Sequence, residues 1–183
     1  MKRWIWAVVA GFSLAGCTSD GQKPDGDGGR GEVRALPGDA GEWKRAGQVT
    51  RYSGDDIEPY AQQYMSETRA RKLRANAVDS LMLTQYRHVD WAKDPKNPDN
   101  RRLHVEMYIH QLDAGAAKTF QEWHSGNSIS DVGDKAFADS DAIVFLRGKT
   151  VVRIRPSWRW ETGAGGKPSI EVGKAIDAWL QGK

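Results

Sequence analysis

The sequence has almost no cysteine and only a short hydrophobic run. Cys17 is the single cysteine among 183 residues, so no disulfide can form within the chain and its fold must be held by burial alone. The apolar stretch at residues 4–14 is too short to span a bilayer as a permanent helix. A chain of this length can still bury a sizeable core, because a domain of ~150 residues buries roughly 70% of its unfolded surface.

Common signatures of catalysis and of nucleic-acid binding are also missing. The chain has no Gly-x-Ser-x-Gly, no cysteine pair and no His-x-x-x-His. The glycine-rich stretch Gly163–Lys167 resembles a phosphate-binding loop in composition only, since Pro168 stands where a serine or threonine is needed. Residues 43–183 carry 22 basic and 18 acidic side chains. This excess of positive charge is too small for a dedicated nucleic-acid binder. We therefore expect no nucleic-acid partner, no cofactor, no metal and no enzymatic activity.

The first seventeen residues have the layout of a secretory signal. A basic start at residues 1–3 precedes the apolar run, which ends in Leu14-Ala15-Gly16-Cys17. These four residues resemble the lipobox of bacterial lipoproteins. The resemblance implies cleavage after residue 16, a diacylglyceryl group on the Cys17 thiol and acylation of the new amine. Thr18, rather than aspartate, follows the cysteine, which in such lipoproteins implies sorting to the outer membrane, facing the periplasm.

Composition divides the rest of the chain into a tether and a folded part. Residues 17–42 contain seven glycines, with six acidic against three basic side chains. Such a segment has too little apolar surface to offset the entropy lost on ordering. We expect a lipidated, flexible Gly/Asp-rich tether at residues 17–42 and one globular domain at residues 43–183.

Hydrophobic periodicity within residues 43–183 predicts an α+β domain in which helices pack on an antiparallel sheet. The predicted elements are a helix over 57–72, strands over 77–87 and 102–111, a helix over 114–124 capped by Asp113, a hairpin of 143–146 and 150–155 turned at Gly148-Lys149, and a helix from Pro168. An unambiguous loop is predicted at 94–100.

This order, with the segment Val132–Phe137 before the hairpin, resembles uncharacterised domains of bacterial exported lipoproteins. It is also similar, less closely, to the small α/β sandwiches of the PsbP type. Neither resemblance brings an active-site motif, and both imply a role in binding or assembly.

The strand at residues 102–111 alternates cleanly between apolar and polar side chains. Leu103, Val105, Met107 and Ile109 point one way, whereas Arg102, His104, Glu106, Tyr108 and His110 point the other. The polar side is expected to be solvated or hydrogen-bonded. His104 with Glu106 is an alternative pair of metal ligands or catalytic groups.

Two basic clusters are candidate binding surfaces. The run Arg69, Arg71, Lys72 and Arg74 would spread around a helix, which favours solvation. Arg153 and Arg155 share one strand face, and Trp158-Arg159-Trp160 follows shortly after them. Aromatic–arginine segments of this kind occur at glycan and protein interfaces. Arg153, Arg155, Trp158, Arg159 and Trp160 are therefore the candidate binding residues.

These observations favour a lipid-anchored, non-catalytic module that binds or assembles with another component of the cell envelope. Its membrane attachment would be the lipid on Cys17, and its partner another envelope protein. Two alternatives stay open: a small-ligand or metal-binding envelope enzyme that uses His104 and Glu106, and a binder of glycan or peptidoglycan.

Overall fold

A computed structural model describes residues 36–90, 102–139, 142–157 and 166–182. The strands are β1 Asp39–Ala40, β2 Trp43–Arg45, β3 Thr50–Ser53, β4 Val78–His88, β5 Arg102–His110, β6 Asn127–Ile129, β7 Lys135–Ala138, β8 Ile143–Arg147 and β9 Thr150–Pro156. The helices are α1 Ile57–Tyr64, α2 Glu67–Ala75, α3 Asp113–Glu122 and α4 Gly166–Leu180, with a 3₁₀ turn at Gly54–Asp56.

The nine strands of the described residues form one antiparallel sheet in the order β1-β2-β4-β5-β9-β8-β7-β6. β3 pairs with the first half of β4, and β2 pairs with its second half. The long strands β4 and β5 lie at the centre, and β9 follows β5. The protein is therefore a single α+β domain, as the sequence predicts.

Each face of the sheet carries its own hydrophobic core. On one face, which we call the α4 face, Val172 and Ile176 of α4 pack against Val105, Val152 and Ile154. On the other, the α1–α3 face, side chains from α1, α2 and α3 cover the sheet. This second cluster comprises Ile57, Ala61, Ala70, Leu73, Leu81, Tyr108, Ala116, Phe120, Phe137, Val144 and Val151.

Several predicted elements are confirmed. The hairpin has the expected register, with Arg147 opposite Thr150 across the Gly148-Lys149 turn. Gly148 has φ of +52°, which a glycine adopts without steric cost at the first turn position. Val172 and Ile176 of α4 are buried, and Ala175, Trp179 and Leu180 pack partly buried against the same core. Val144 and Val151 are buried on the opposite face, so the hairpin is covered on both faces.

The single helix predicted over 57–72 is wrong, because the chain breaks it at Met65. This residue is extended (φ −129°, ψ 172°), and α2 begins immediately afterwards. Ser66 caps the new helix by accepting a hydrogen bond from the Arg69 amide at 3.3 Å. A serine that satisfies an orphan amide stabilises a helix start, and the break redirects α2 so that Leu73 is buried.

Two boundaries also differ from the predictions. Leu36 and Ala40 are buried in the core of the α4 face, so the folded part begins before residue 43, inside the expected tether. In α3 the N-cap is Leu112 and not Asp113, and the buried residues are Ala116, Thr119 and Phe120. Gln121, near the end of α3, and His124, just after it, are exposed.

The predicted loop at 94–100 lies outside the described residues. Among the helices that the structure describes, none has both the length and the apolar character needed to cross a membrane.

Candidate functional site

Glu106 lies near the middle of β5 on the α1–α3 face and is only 7% exposed. Four side chains surround its carboxylate. The Tyr108 hydroxyl donates to Oε2 at 2.8 Å, and Arg155 Nη2 donates to Oε1 at 2.6 Å. Arg69 Nη2 donates to Oε2 at 3.0 Å, and Arg153 Nη1 forms an ion pair with Oε2 at 3.7 Å. Three guanidinium groups thus converge on one buried carboxylate.

Arg69 reaches this site from α2 and is held between aromatic rings. Its Cζ lies 4.6 Å from the Trp123 ring centroid and 5.7 Å from that of Tyr108. Its Nη2 also donates to the Tyr108 hydroxyl at 2.9 Å. The rings of Tyr108 and Trp123 meet edge to face, with centroids 4.7 Å apart. Stacking and hydrogen bonding therefore fix the orientation of this guanidinium.

Arg153 and Arg155 reach Glu106 because β9 pairs directly with β5. Glu106 stands opposite Arg153 in the register, and Arg155 is opposite His104. Side chains two residues apart on one strand share a face, so both arginines turn toward the carboxylate. The prediction that they share a face is confirmed. They do not form a freely solvated patch, since the Arg153 side chain is only 23% exposed.

The site carries more positive than negative charge. Burial tends to raise the pKa of Glu106, but the charges of Arg69, Arg155 and Arg153 and the Tyr108 hydrogen bond outweigh it and lower that pKa. Burial lowers the pKa of Arg153, and the neighbouring arginines add to the effect. A single ionised carboxylate therefore faces three cations, which leaves about two units of positive charge partly removed from water.

Two cavities open beside this cluster. The first, which we call the Trp123 cavity, has a volume of about 330 Å³ and is lined by Arg69, Arg153, Lys72, Trp123 and Phe137, together with hydroxyl groups from α2 and Ser125. The second, the His104 cavity, has a volume of about 380 Å³ and is mostly polar. It is lined by Arg155, Glu106, His104, Tyr60 and residues of β3 and β4.

The alternative role of His104 and Glu106 as metal ligands or catalytic groups has little chemical support. Three guanidinium groups repel a cation, and both carboxylate oxygens already accept hydrogen bonds. Burial and the charge of Arg155 lower the pKa of His104, which keeps its imidazole neutral, but the same positive charge disfavours a metal ion beside it. Across the described ranges, no three histidine, cysteine, aspartate or glutamate side chains come together as a metal site.

The polar side of β5 is buried at Glu106, Tyr108 and His110, which the helices of the α1–α3 face cover, and partly exposed at Arg102 and His104. Tyr108 is fully buried and His110 is 2% exposed. His110 Nε2 lies 2.9 Å from Thr119 Oγ1, and its Nδ1 lies 3.1 Å from the Tyr108 carbonyl oxygen. The prediction of a solvated or hydrogen-bonded side is confirmed: the buried residues are hydrogen-bonded, and Arg102 and His104 keep partial exposure.

The structure brings together some of the candidate residues and leaves others outside its described part. Arg153 and Arg155 meet at Glu106. Cys17, Trp158, Arg159 and Trp160 lie outside the described residues, so their roles stay predictions.

Sequence reasoning missed Arg69 and Trp123. Arg69 was counted in the solvated run, although it precedes the buried Ala70 and lies four residues before the buried Leu73 on α2. Residues four apart lie on the same side of a helix, so the spacing of Arg69 and Leu73 is the signal that Arg69 faces the sheet. The other members of the run, Arg71, Lys72 and Arg74, are exposed. Arg74 forms an ion pair with Glu58, and Lys72 Nζ lies 3.6 Å from Glu122 Oε2.

No protein-family model, no curated protein and no solved structure matches this chain.

Proposed function

We propose that this protein is an exported, lipid-anchored and non-catalytic module that binds another component of the cell envelope through its arginine-lined α1–α3 face. The observation that carries the proposal is the convergence of Arg69, Arg153 and Arg155 on Glu106 between two cavities. Surplus buried cations cost folding free energy unless an anion offsets them, which supports a binding role for this face.

A non-catalytic role is favoured because the buried carboxylate of this site is held by arginines at both oxygens. Glu106 has a lowered pKa and accepts hydrogen bonds at both oxygens. A general base needs a pKa near the working pH and a free lone pair. The group best placed for acid–base chemistry is thus committed to holding arginines.

Membrane attachment through Cys17 is the second part of the proposal, and it rests on Leu14-Ala15-Gly16-Cys17 alone. Several acyl chains hold a protein firmly at a bilayer, whereas one chain anchors only weakly. A Cys17→Ser variant should therefore leave the outer-membrane fraction. If it stays there to the same extent as the unaltered chain, lipid anchoring is wrong.

Photo-crosslinking in intact cells tests the binding surface. A photoreactive residue replaces Thr68, which is exposed beside the Trp123 cavity. The matched control places the same residue at Glu171, which is exposed on α4 across the sheet. One dominant envelope component captured at position 68 and not at position 171 is the expected result. The same products at both positions, or none at position 68, would contradict the assignment.

A further inference from the structure

We infer that the Trp123 cavity binds a small organic anion, a carboxylate or phosphate whose apolar part lies against Trp123 and Phe137. The inference rests on the proposed function and names the chemical group that this face would recognise. The anion would be a free small molecule or the acidic end of an envelope component.

The charges around the Trp123 cavity favour an anion. Arg69, Arg153 and Lys72 line it. Lys72 already lies near Glu122, so the surplus resides on the two arginines, which share Glu106 with Arg155. The Arg69 Nε atom is buried and has no hydrogen-bond partner among the described residues. Guanidinium groups are the preferred donors to carboxylate and phosphate oxygens.

One acidic side chain also lines the cavity, and its oxygens are already engaged. Asp139 Oδ1 accepts a hydrogen bond from the Ala142 amide at 2.8 Å, and Oδ2 accepts one from the Ser125 hydroxyl. Its role is to hold the turn between β7 and β8. The cavity wall itself therefore carries three cations and one carboxylate, and Glu106 and Glu122 offset part of that positive charge.

The other walls of the cavity favour an apolar body on the ligand. Trp123, Phe137, Val144 and Ala142 contribute aromatic and aliphatic surface. Ligand sites typically combine apolar walls with a few converging polar groups. The volume of about 330 Å³ is at the lower end of the range for small-molecule sites, which excludes a large ligand from full enclosure.

Glu106 acts as an internal competitor for the same arginines. It holds them in place and neutralises part of their charge. A Glu106→Gln substitution keeps the shape of the side chain but removes the negative charge. If the arginines are there to bind an anion, this variant should bind an external anion more tightly while becoming less stable. A purely structural cluster would lose stability without any change in anion affinity.

The test is calorimetric titration of the full chain in mild detergent at constant ionic strength. The probes are phenylacetate, phenyl phosphate, inorganic phosphate and the neutral benzyl alcohol. We expect one or both organic anions to bind at least about tenfold more tightly than inorganic phosphate and benzyl alcohol, because charge and apolar surface are both needed. The preferred head group distinguishes a carboxylate from a phosphate ligand. No binding, or equal binding of all four probes, would overturn the inference.

Paired arginine variants localise the site. Arg153→Gln and Arg155→Gln each remove one positive charge and one partner of Glu106, but only Arg153 lines the Trp123 cavity. Arg153→Gln should weaken the organic anion at least about tenfold, and Arg155→Gln less than about threefold. The reverse order would move the site to the His104 cavity and overturn the assignment.

Two further variants keep the test decisive if Arg153→Gln fails to fold. Thr68→Glu adds a carboxylate at the rim of the cavity, in the first turn of α2, where an acidic residue is compatible with the helix dipole. It should block the anion without loss of stability. Glu106→Gln should bind the anion more tightly and gain more thermal stability from it than the unaltered chain. Unchanged affinity in both variants would overturn the inference.

These titrations fail independently of the crosslinking experiment. If position 68 captures a component in cells and no probe binds in solution, the proposed function stands and the organic-anion ligand is wrong. If the probes bind as expected and nothing is captured, the ligand stands and the envelope partner is wrong.

Discussion

Strand β5 buries Leu103, Val105 and Met107 on the α4 face of the sheet, and on the α1–α3 face it buries Glu106 and Tyr108. The two sets alternate along nine residues of one strand. Both faces carry a hydrophobic cluster, but the α1–α3 face adds three arginines around a buried carboxylate. The α4 face gains free energy from apolar burial, whereas a charged cluster on the other face incurs a desolvation cost that its ion pairs only partly offset.

This contrast indicates which face is shaped for more than stability. Replacing buried ion pairs with apolar residues of similar volume is often neutral or stabilising. Side chains that break local rules for stability are expected at functional sites. The three arginines at Glu106 fit that expectation, while the packing of α4 on the other face requires no function to explain it.

The largest expected effect comes from opening the core of the α4 face. Phe145 on β8 is fully buried and packs in that core. Phe145→Ala should lower the free energy of unfolding by about 3–5 kcal/mol, through lost burial and the void left behind. Denaturant unfolding of the purified full chain measures this loss.

Phe137→Ala is the matched control on the opposite face. Phe137 is equally buried but lines the Trp123 cavity, so fewer close contacts depend on it. Phe137→Ala should lower the free energy of unfolding by less than Phe145→Ala does. A larger loss at Phe137 would mean that the α1–α3 face is the better packed of the two.

Removing the buried carboxylate is the second largest change. Glu106→Gln leaves three guanidinium groups without their counter-charge, so the free energy of unfolding should fall by about 2–4 kcal/mol. Partial exposure of the arginines keeps the loss below that of a fully enclosed charge, since water screens them. If Glu106→Gln has the same denaturation midpoint as the unaltered chain at neutral pH, the negative charge of Glu106 does not stabilise the fold.

The α4 face could be predicted from the sequence far better than the other one. Alternation in β5, the hairpin turned at Gly148 and the stripe of α4 all follow from local periodicity. Short strands such as β1 and β6 could not be found, because two or three residues carry no periodic signal. Only hydrogen bonding to the neighbouring strands β2 and β7 identifies β1 and β6 as strands.

The charged site escaped prediction because its parts come from distant segments. Arg69 lies 37 residues before Glu106, and Arg155 lies 49 residues after it. Polar residues at alternate positions of β5 suggested a wet face, since periodicity gives the side of a strand but not what covers it. The helix break at Met65 and Ser66, which redirects α2, is the local event that the sequence pattern concealed.

Acid should weaken both faces, through His110 and Glu106 on the α1–α3 face and through Asp177, whose pKa is also lowered, on the α4 face. Burial lowers the pKa of His110, so the folded chain resists protonation there while the unfolded chain titrates near the ordinary value of about 6.5. The stability from neutral His110 is present above that value and declines as the pH falls through it. Below about pH 4.5, protonation of unfolded-chain carboxylates adds a second decline through the lowered pKa of Glu106.

The measurement is the denaturation midpoint from about pH 7.5 to about pH 3. His110→Asn should flatten the dependence near pH 6 and leave the lower decline in place, whatever its stability at neutral pH. Glu106→Gln should keep the decline near pH 6 and reduce the lower one, to which Asp177 also contributes. If both variants keep the full dependence, neither buried group links folding to pH.

A pair of helix glycines compares the two faces with the smallest substitution available. Gly115 in α3 lies so close to α2 that an added Cβ would stand 2.3 Å from the Asn76 carbonyl oxygen. At Gly173 in α4 the nearest atom to an added Cβ would be Val132 Cγ1, at an ordinary 3.4 Å.

Alanine favours a helix over glycine by about 1 kcal/mol. Gly173→Ala should therefore be neutral or stabilising by up to about 1 kcal/mol, whereas Gly115→Ala should destabilise by about 1–2 kcal/mol because backbone must move. Thermal unfolding of both variants measures the two effects. A stabilised Gly115→Ala would show that α2 and α3 can move apart at no cost in the free energy of unfolding.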